Sequence, residues 1–182
     1  MKDLSLHILD LLQNSTAVNS TLITLDIEDS IKDNVFSFCI KDNGKGMTKE
    51  FLAKVTDPYS TTRTTRKVGL GLPLIKMNAE NCNGEFHIES EVGVGTKLSF
   101  SFEHNNIDRP PLGDLAGVFV LTIAQSEEIR FILTYKTDKD VYVFDTQEIK
   151  EALDGIPFNN NDIIKLLREM IEENLKEIGA NE

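Results

Sequence analysis

The chain has 182 residues, 40% apolar and 27% charged, with 11 Gly and 5 Pro, which suits a soluble globular protein with one ordinary core, or a domain of roughly 100 residues with a smaller appendage, and excludes a disordered class. A formal net charge of -11 argues against nucleic acid or an anionic membrane as a partner of the general surface, and no apolar run approaches the roughly 20 residues needed to span a bilayer. The opening Met1-Lys2-Asp3-Leu4 lacks a signal-peptide layout, so a cytoplasmic location is expected, and Cys39 and Cys82 share no metal-ligand spacing and read as core residues.

Over residues 3–18, Leu4, Ile8, Leu11, Leu12 and Ser15 recur at helical spacing, which predicts an amphipathic helix. Ile23, Leu25 and Ile27 then alternate with polar residues, and Phe36, Phe38 and Ile40 do the same over Val35 to Lys41, so two half-buried strands follow. After a loop rich in Thr and Arg, Leu70 to Asn83 is helical again and stops at Gly84; Phe86 and Ile88, then Leu98, Phe100 and Phe102, give two more strands. This order predicts an α+β fold, a two-layer sandwich with a mixed sheet covered by helices on one face. The pattern breaks near Asp108-Arg109-Pro110-Pro111, which divides the chain into residues 1–104 and a small α+β appendage, 105–182. In the second part, Val118 to Ile123, Ile129 to Tyr135 and Val141 to Phe144 read as strands. Asp145 and Glu148 have capping-box spacing for a short helix, and Ile164, Leu167, Ile171, Leu175 and Ile178 line one stripe of a last helix.

Three segments carry chemistry. Asp10 and Asn14, four apart on the first helix, point the same way; an amide oxygen suits magnesium and a carboxylate can orient or deprotonate a water or hydroxyl. Any amphipathic helix offers such a polar pair, and His7 beside it reads as structural or surface. Asp42-Asn43-Gly44-Lys45-Gly46-Met47 follows a strand directly; its glycines permit close backbone approach, and Asp42 can accept a hydrogen bond from an exocyclic amine, which adenine carries and guanine lacks at the matching position. An ordinary Asn-Gly turn is the competing reading. Gly69-Leu70-Gly71-Leu72-Pro73 opens a helix whose free amides suit an anion. Just upstream lie Thr61, Thr62, Arg63, Arg66 and Lys67, and no acidic residue occurs from Pro58 to Ala79. That cationic island in an acidic chain suits a lid over phosphates.

In order and spacing these segments resemble the ATP-binding domain shared by sensor histidine kinases, type II topoisomerases, mismatch-repair ATPases and the 90-kilodalton heat-shock chaperone, the GHKL or Bergerat-fold group. Asn14 matches the magnesium-binding Asn of the N box, Asp42, Gly44 and Gly46 the DxGxG box, and Gly69 and Gly71 the GxG box. Asp57-Pro58-Tyr59-Ser60-Thr61-Thr62-Arg63 is similar to the phenylalanine-box region, and Gly93, Gly95 and Thr96 to the closing glycine-threonine turn, whose Thr sits beside the adenine-binding Asp. The resemblance covers about residues 1–103. It implies ATP and Mg2+ as cofactors, with Asp10 and Asn14 catalytic, Asn14 the metal ligand, and Asn14, Asp42, Gly44, Gly46, Met47, Thr61, Thr62, Arg63, Arg66, Lys67, Gly69, Leu70, Gly71, Leu72 and Thr96 around the nucleotide.

Two departures qualify the implied activity. Asp10 stands where hydrolysing members have Glu and many sensor kinases Asn, so slow turnover is expected. Ala17 stands where sensor kinases often carry Lys. The chain opens at the N box, so the expectation is a kinase acting on a separate partner or a slow ATPase. The alternative is a module whose grip on a protein partner, through the carboxy-terminal region, changes with ATP. The last helix's stripe is read first as local packing, with partner or homodimer docking as its rival.

Overall fold

The computed structural model describes residues 3–55 and 71–180. Helix α1, Leu4–Thr16, starts at Asp3, whose side chain accepts from the Leu6 amide at 3.0 Å, satisfying one of the donors that every helix start leaves unpaired. Strands β1, Leu22–Ser30, and β2, Val35–Asp42, form a hairpin turned by Asn34 at φ 55°. A short α2, Lys49–Leu52, capped by Thr48, lies where the sequence pattern assigns no element. Then come α3, Gly71–Asn81, β3, Phe86–Glu91, and β4, Gly95–Glu103. The remaining elements are α4, Leu115–Gln125, β5, Arg130–Thr137, β6, Val141–Asp145, α5, Thr146–Leu153, and α6, Asn161–Glu177.

The strands form one mixed sheet in the order β3-β4-β2-β1-β5-β6, with β1 and β5 parallel and the other neighbouring pairs antiparallel. Alternation puts Ile23, Leu25, Ile27, Phe36, Phe38, Ile40, Leu98, Phe100 and Phe102 on one face, all buried, under the helices. Phe38 stacks on Phe100 with centroids 4.9 Å apart, a preferred aromatic arrangement. The opposite face carries Asp26, Glu28, Ser37, His87, Ser99 and Lys136 around a shallow groove. The expected α+β sandwich is therefore the fold, helices on one side and a polar face on the other. The residues expected as an appendage are α+β and join through this same sheet: Leu25 lies opposite Leu133, and α4 packs between α1 and α6.

The strand expected over Val118 to Ile123 is instead the middle of α4. Leu115–Val120, Thr122 and Ile123 are buried while Leu121 is 50% exposed. A helix enclosed on most sides has no polar face, so its period vanishes and its β-branched residues mimic a buried strand. Phe119 meets Phe131 and Phe144 edge-on at 6.0 and 5.9 Å. The last helix buries Ile163, Leu167, Ile171 and Leu175, so its stripe serves the local core.

Asp145 ends β6 and caps α5, accepting from the Gln147 amide at 2.9 Å and from Arg130 Nε at 3.0 Å. Arg130 above all, and then Gln147 against the opposing effect of burial, holds its carboxyl below the usual range. A carboxyl depressed in the folded state adds stability above its unfolded pKa of about 3.9 and loses it as pH falls through the lower folded value. Asp145→Ala is therefore expected to cost about 1–2 kcal/mol at pH 7, with the difference from the parent shrinking in chemical denaturation below about pH 4.

Candidate functional site

The first helix links two of the three motifs. On one side of α1, Ser15 donates its hydroxyl to Asp42 Oδ2 at 3.0 Å. On the other, the space a side chain would need at Gly71 is filled by Asp10: a Cβ there would lie 2.0 Å from Asp10 Oδ2. A side chain at residue 71 would require Asp10 to swing away from the start of α3. Asn14 sits half-buried between these two contacts, one turn from Asp10 and adjacent to Ser15. His7 lies a turn earlier with Nε2 3.3 Å from Asn78 Nδ2, and burial pushes its pKa down.

Asp42 is the last residue of β2 and is buried, which is costly for a carboxylate unless donors meet it. It has two: Ser15, and the Gly44 amide at 2.9 Å on Oδ1. Across the ladder Asp42 faces Thr96, whose hydroxyl is 2.8 Å from that of Ser90. Ser90 in turn accepts from the Met47 amide at 2.9 Å. A Cβ on Gly44 would meet Val18 Cγ2 at 2.4 Å, and one on Gly46, at φ +66°, would lie 1.9 Å from the Glu91 carbonyl oxygen. The motif's two glycines thus let the turn wedge between the end of α1 and the β3–β4 turn. Gly95, at φ +131°, holds Thr96 against Asp42, since its Cβ would fall 2.0 Å from the Asp42 carbonyl oxygen.

Of the residues singled out in the sequence, Asp10, Asn14, Asp42, Gly44, Gly46, Met47, Gly71, Leu72 and Thr96 lie within the described residues. Asp10 and Asn14 share α1, which touches both Asp42 and Gly71; Gly44, Gly46, Met47 and Thr96 surround Asp42; Leu72, in the first turn of α3, is partly buried against the core. Thr61, Thr62, Arg63, Arg66, Lys67, Gly69 and Leu70, with the Asp57–Ser60 string, lie outside them. Ser15 and Ser90 were not given a place in the site by spacing or motif. Ser15 offered one sign, a hydroxyl in a stripe otherwise made of Leu and Ile. Among the described residues no three His, Cys, Asp or Glu side chains gather where a metal ion could sit, and no helix is long and apolar enough to cross a membrane.

Residues 2–106 match the family described as histidine kinase-, DNA gyrase B-, and HSP90-like ATPase. Curated relatives include a putative sensor protein of Shewanella frigidimarina, 33% identical over 97 residues that are 52% of this chain and 15% of that protein. Sensor histidine kinase YvrG of Bacillus subtilis is 34% identical over 74 residues, 38% of this chain and 13% of that one. A putative NtrY-like sensor histidine kinase of Rickettsia conorii is 29% identical over 84 residues, 46% and 14% respectively. The matched part thus spans about 15% or less of these relatives. Among solved structures, the catalytic domain of histidine kinase ThkA aligns at 22% identity and a TM-score of 0.44, covering 57% of this chain and 68% of that one.

Proposed function

This chain belongs to the histidine kinase-, DNA gyrase B-, and HSP90-like ATPase family, and on that footing we propose that its ATP, held with magnesium, serves phosphoryl transfer to a separate protein or slow hydrolysis. The observation that carries the reading is the double contact of α1, with Asp42 through Ser15 and with Gly71 through Asp10. One helix thereby brings a buried hydrogen-bond acceptor and a helix entry into the same neighbourhood. Adenine needs the first and phosphates the second.

In this reading Asp42 accepts the adenine amine, with Thr96 beside it. Asn14 offers its side-chain oxygen to magnesium, which would take its remaining ligands from waters and phosphates. Asp10 is the candidate base, and the shorter reach of Asp against Glu argues for slow turnover. The phosphates would meet the start of α3 at Gly71 and Leu72; the preceding Gly69 and Leu70, and Thr61, Thr62, Arg63, Arg66 and Lys67, are assigned to them by motif and charge alone. The donor set fits the group: Asp42 offers a carboxylate acceptor and Asn14 an amide oxygen, and glycines let the turn close around Asp42 where any side chain would collide with backbone.

Incubation with γ-labelled ATP and magnesium in a lysate of the source tests this. Phosphate release or a labelled partner is expected, and Asn14→Ala should reduce either by at least about tenfold, the loss of one charge-assisted contact. Signals equal to those of the Asn14→Ala control would remove the enzymatic reading. One observation favours a second reading, a nucleotide-dependent binding module: α4 and β5 pack directly on α1 and β1. A change at α1 would thus be felt in the carboxy-terminal region. Recovery of a partner that is the same with and without a non-hydrolysable ATP analogue would count against it.

A further inference from the structure

We infer that Ser15 is a positioning residue for Asp42, and that through Asp42 it sets selectivity for a 6-amino purine over a 6-oxo purine. The inference rests on the proposed nucleotide site and goes beyond it, because Ser15 itself need not touch the base. An Asp side chain turns broadly about its last torsion, so one hydrogen bond does not fix the plane of its carboxylate. The Gly44 amide reaches Oδ1 from only two residues away and moves with the turn that carries Asp42. Ser15 reaches Oδ2 from another element, 27 residues earlier in the chain. It ties the carboxylate to α1, and Ser20, whose hydroxyl donates to the Ser15 carbonyl at 2.7 Å, closes the end of that helix. Both Ser15 and Asp42 are buried, so water competes little for the bond.

The polarity of the bond decides the selectivity. The Ser15 hydroxyl is the donor in this bond, which leaves the Asp42 carboxylate to act as an acceptor. A 6-amino group donates to it, whereas a 6-oxo group sets one acceptor against another. Sites built around a substrate's hydrogen-bonding group reject analogues that lack it far better than apolar pockets do. Since Asn14 is the preceding residue on the same helix, one turn of α1 carries both the tie to the base-reading carboxylate and the proposed magnesium ligand.

The test is calorimetric titration of the whole chain with ATP and with inosine triphosphate, which differs by a 6-oxo group, both with magnesium. Ser15→Ala should lower the ratio of ATP to inosine-triphosphate affinity at least about tenfold, the order expected for one hydrogen bond to a charged group; the unfolding midpoint also falls, because a buried carboxylate loses one of its donors, so the ratio and not the melt is the readout. If the alanine variant fails to fold, Ser15→Cys, of similar volume and a weak donor, should lower the ratio likewise. In an Asp42→Ala background Ser15→Ala should leave the ratio unchanged, because the residue it acts through is gone. An unchanged ratio in Ser15→Ala, or an equal fall in the Asp42→Ala background, overturns the inference and leaves the nucleotide site standing. A parent chain that binds neither nucleotide removes the site itself, and the inference with it.

Discussion

Asp42→Ala is expected to weaken ATP binding about 30- to 150-fold, the equivalent of about 2–3 kcal/mol for a hydrogen bond to a charged group in a water-poor site. The size follows from burial: Asp42 is 6% exposed, so the adenine amine that it accepts in the proposed complex cannot exchange the contact for bulk water. The variant also strands the Ser15 hydroxyl and the Gly44 amide. An emptied recess there admits water, so their loss should cost the fold only about 1–2 kcal/mol. Calorimetry beside a thermal melt without nucleotide separates the two effects. Affinity within about threefold of the parent in a folded variant would remove Asp42 from the site.

A chain cut after residue 106, where the family match ends, is expected not to fold. The cut removes β5 from beside β1 and α4 from beside α1. Leu4, Ile8, Leu12 and Leu25 are at most 0% exposed in the intact chain, and they stand on the two elements that lose neighbours. At about 1.5–3 kcal/mol for each large apolar side chain returned to water, exposing even four would cost about 6–12 kcal/mol, as much as the whole stability of an ordinary domain. β1 would also become a long hydrophobic edge, which invites association. Circular dichroism and gel filtration decide the matter: a monomeric fragment with the parent's cooperative melt would show that residues 105–182 contribute no essential cover.

Legibility along the chain followed how strongly each segment's surroundings differ from one side to the other. The first helix and the strands through Phe102 have one wet and one dry face, so their periods were plain in Leu4, Ile8 and Leu11 or in Phe36, Phe38 and Ile40. α4 is dry nearly all round, and eleven residues from Leu115 to Gln125 gave no period to read. α2 has four residues, too few to show one. In the site, Asp42, Gly44, Gly46 and Thr96 were legible because a turn and a close approach need particular residue types at fixed spacing. Ser15 and Ser90 were not, since a hydroxyl bonds through space and its partners lie far along the chain, as Asp42 does from Ser15. The sheet's extension through β5 was equally hidden: parallel pairing of Leu25 with Leu133 leaves no mark in either strand's own pattern.

The central claim is that α1, the turn after β2 and the start of α3 serve one nucleotide. Amide chemical shifts followed during titration with ATP and magnesium address it directly. Saturable shifts with a single affinity at Asn14, Ser15, Asp42, Gly44, Gly71 and Thr96 are expected. Shifts that saturate at different concentrations for Asp42 and Gly71, or that leave both unmoved, would contradict it.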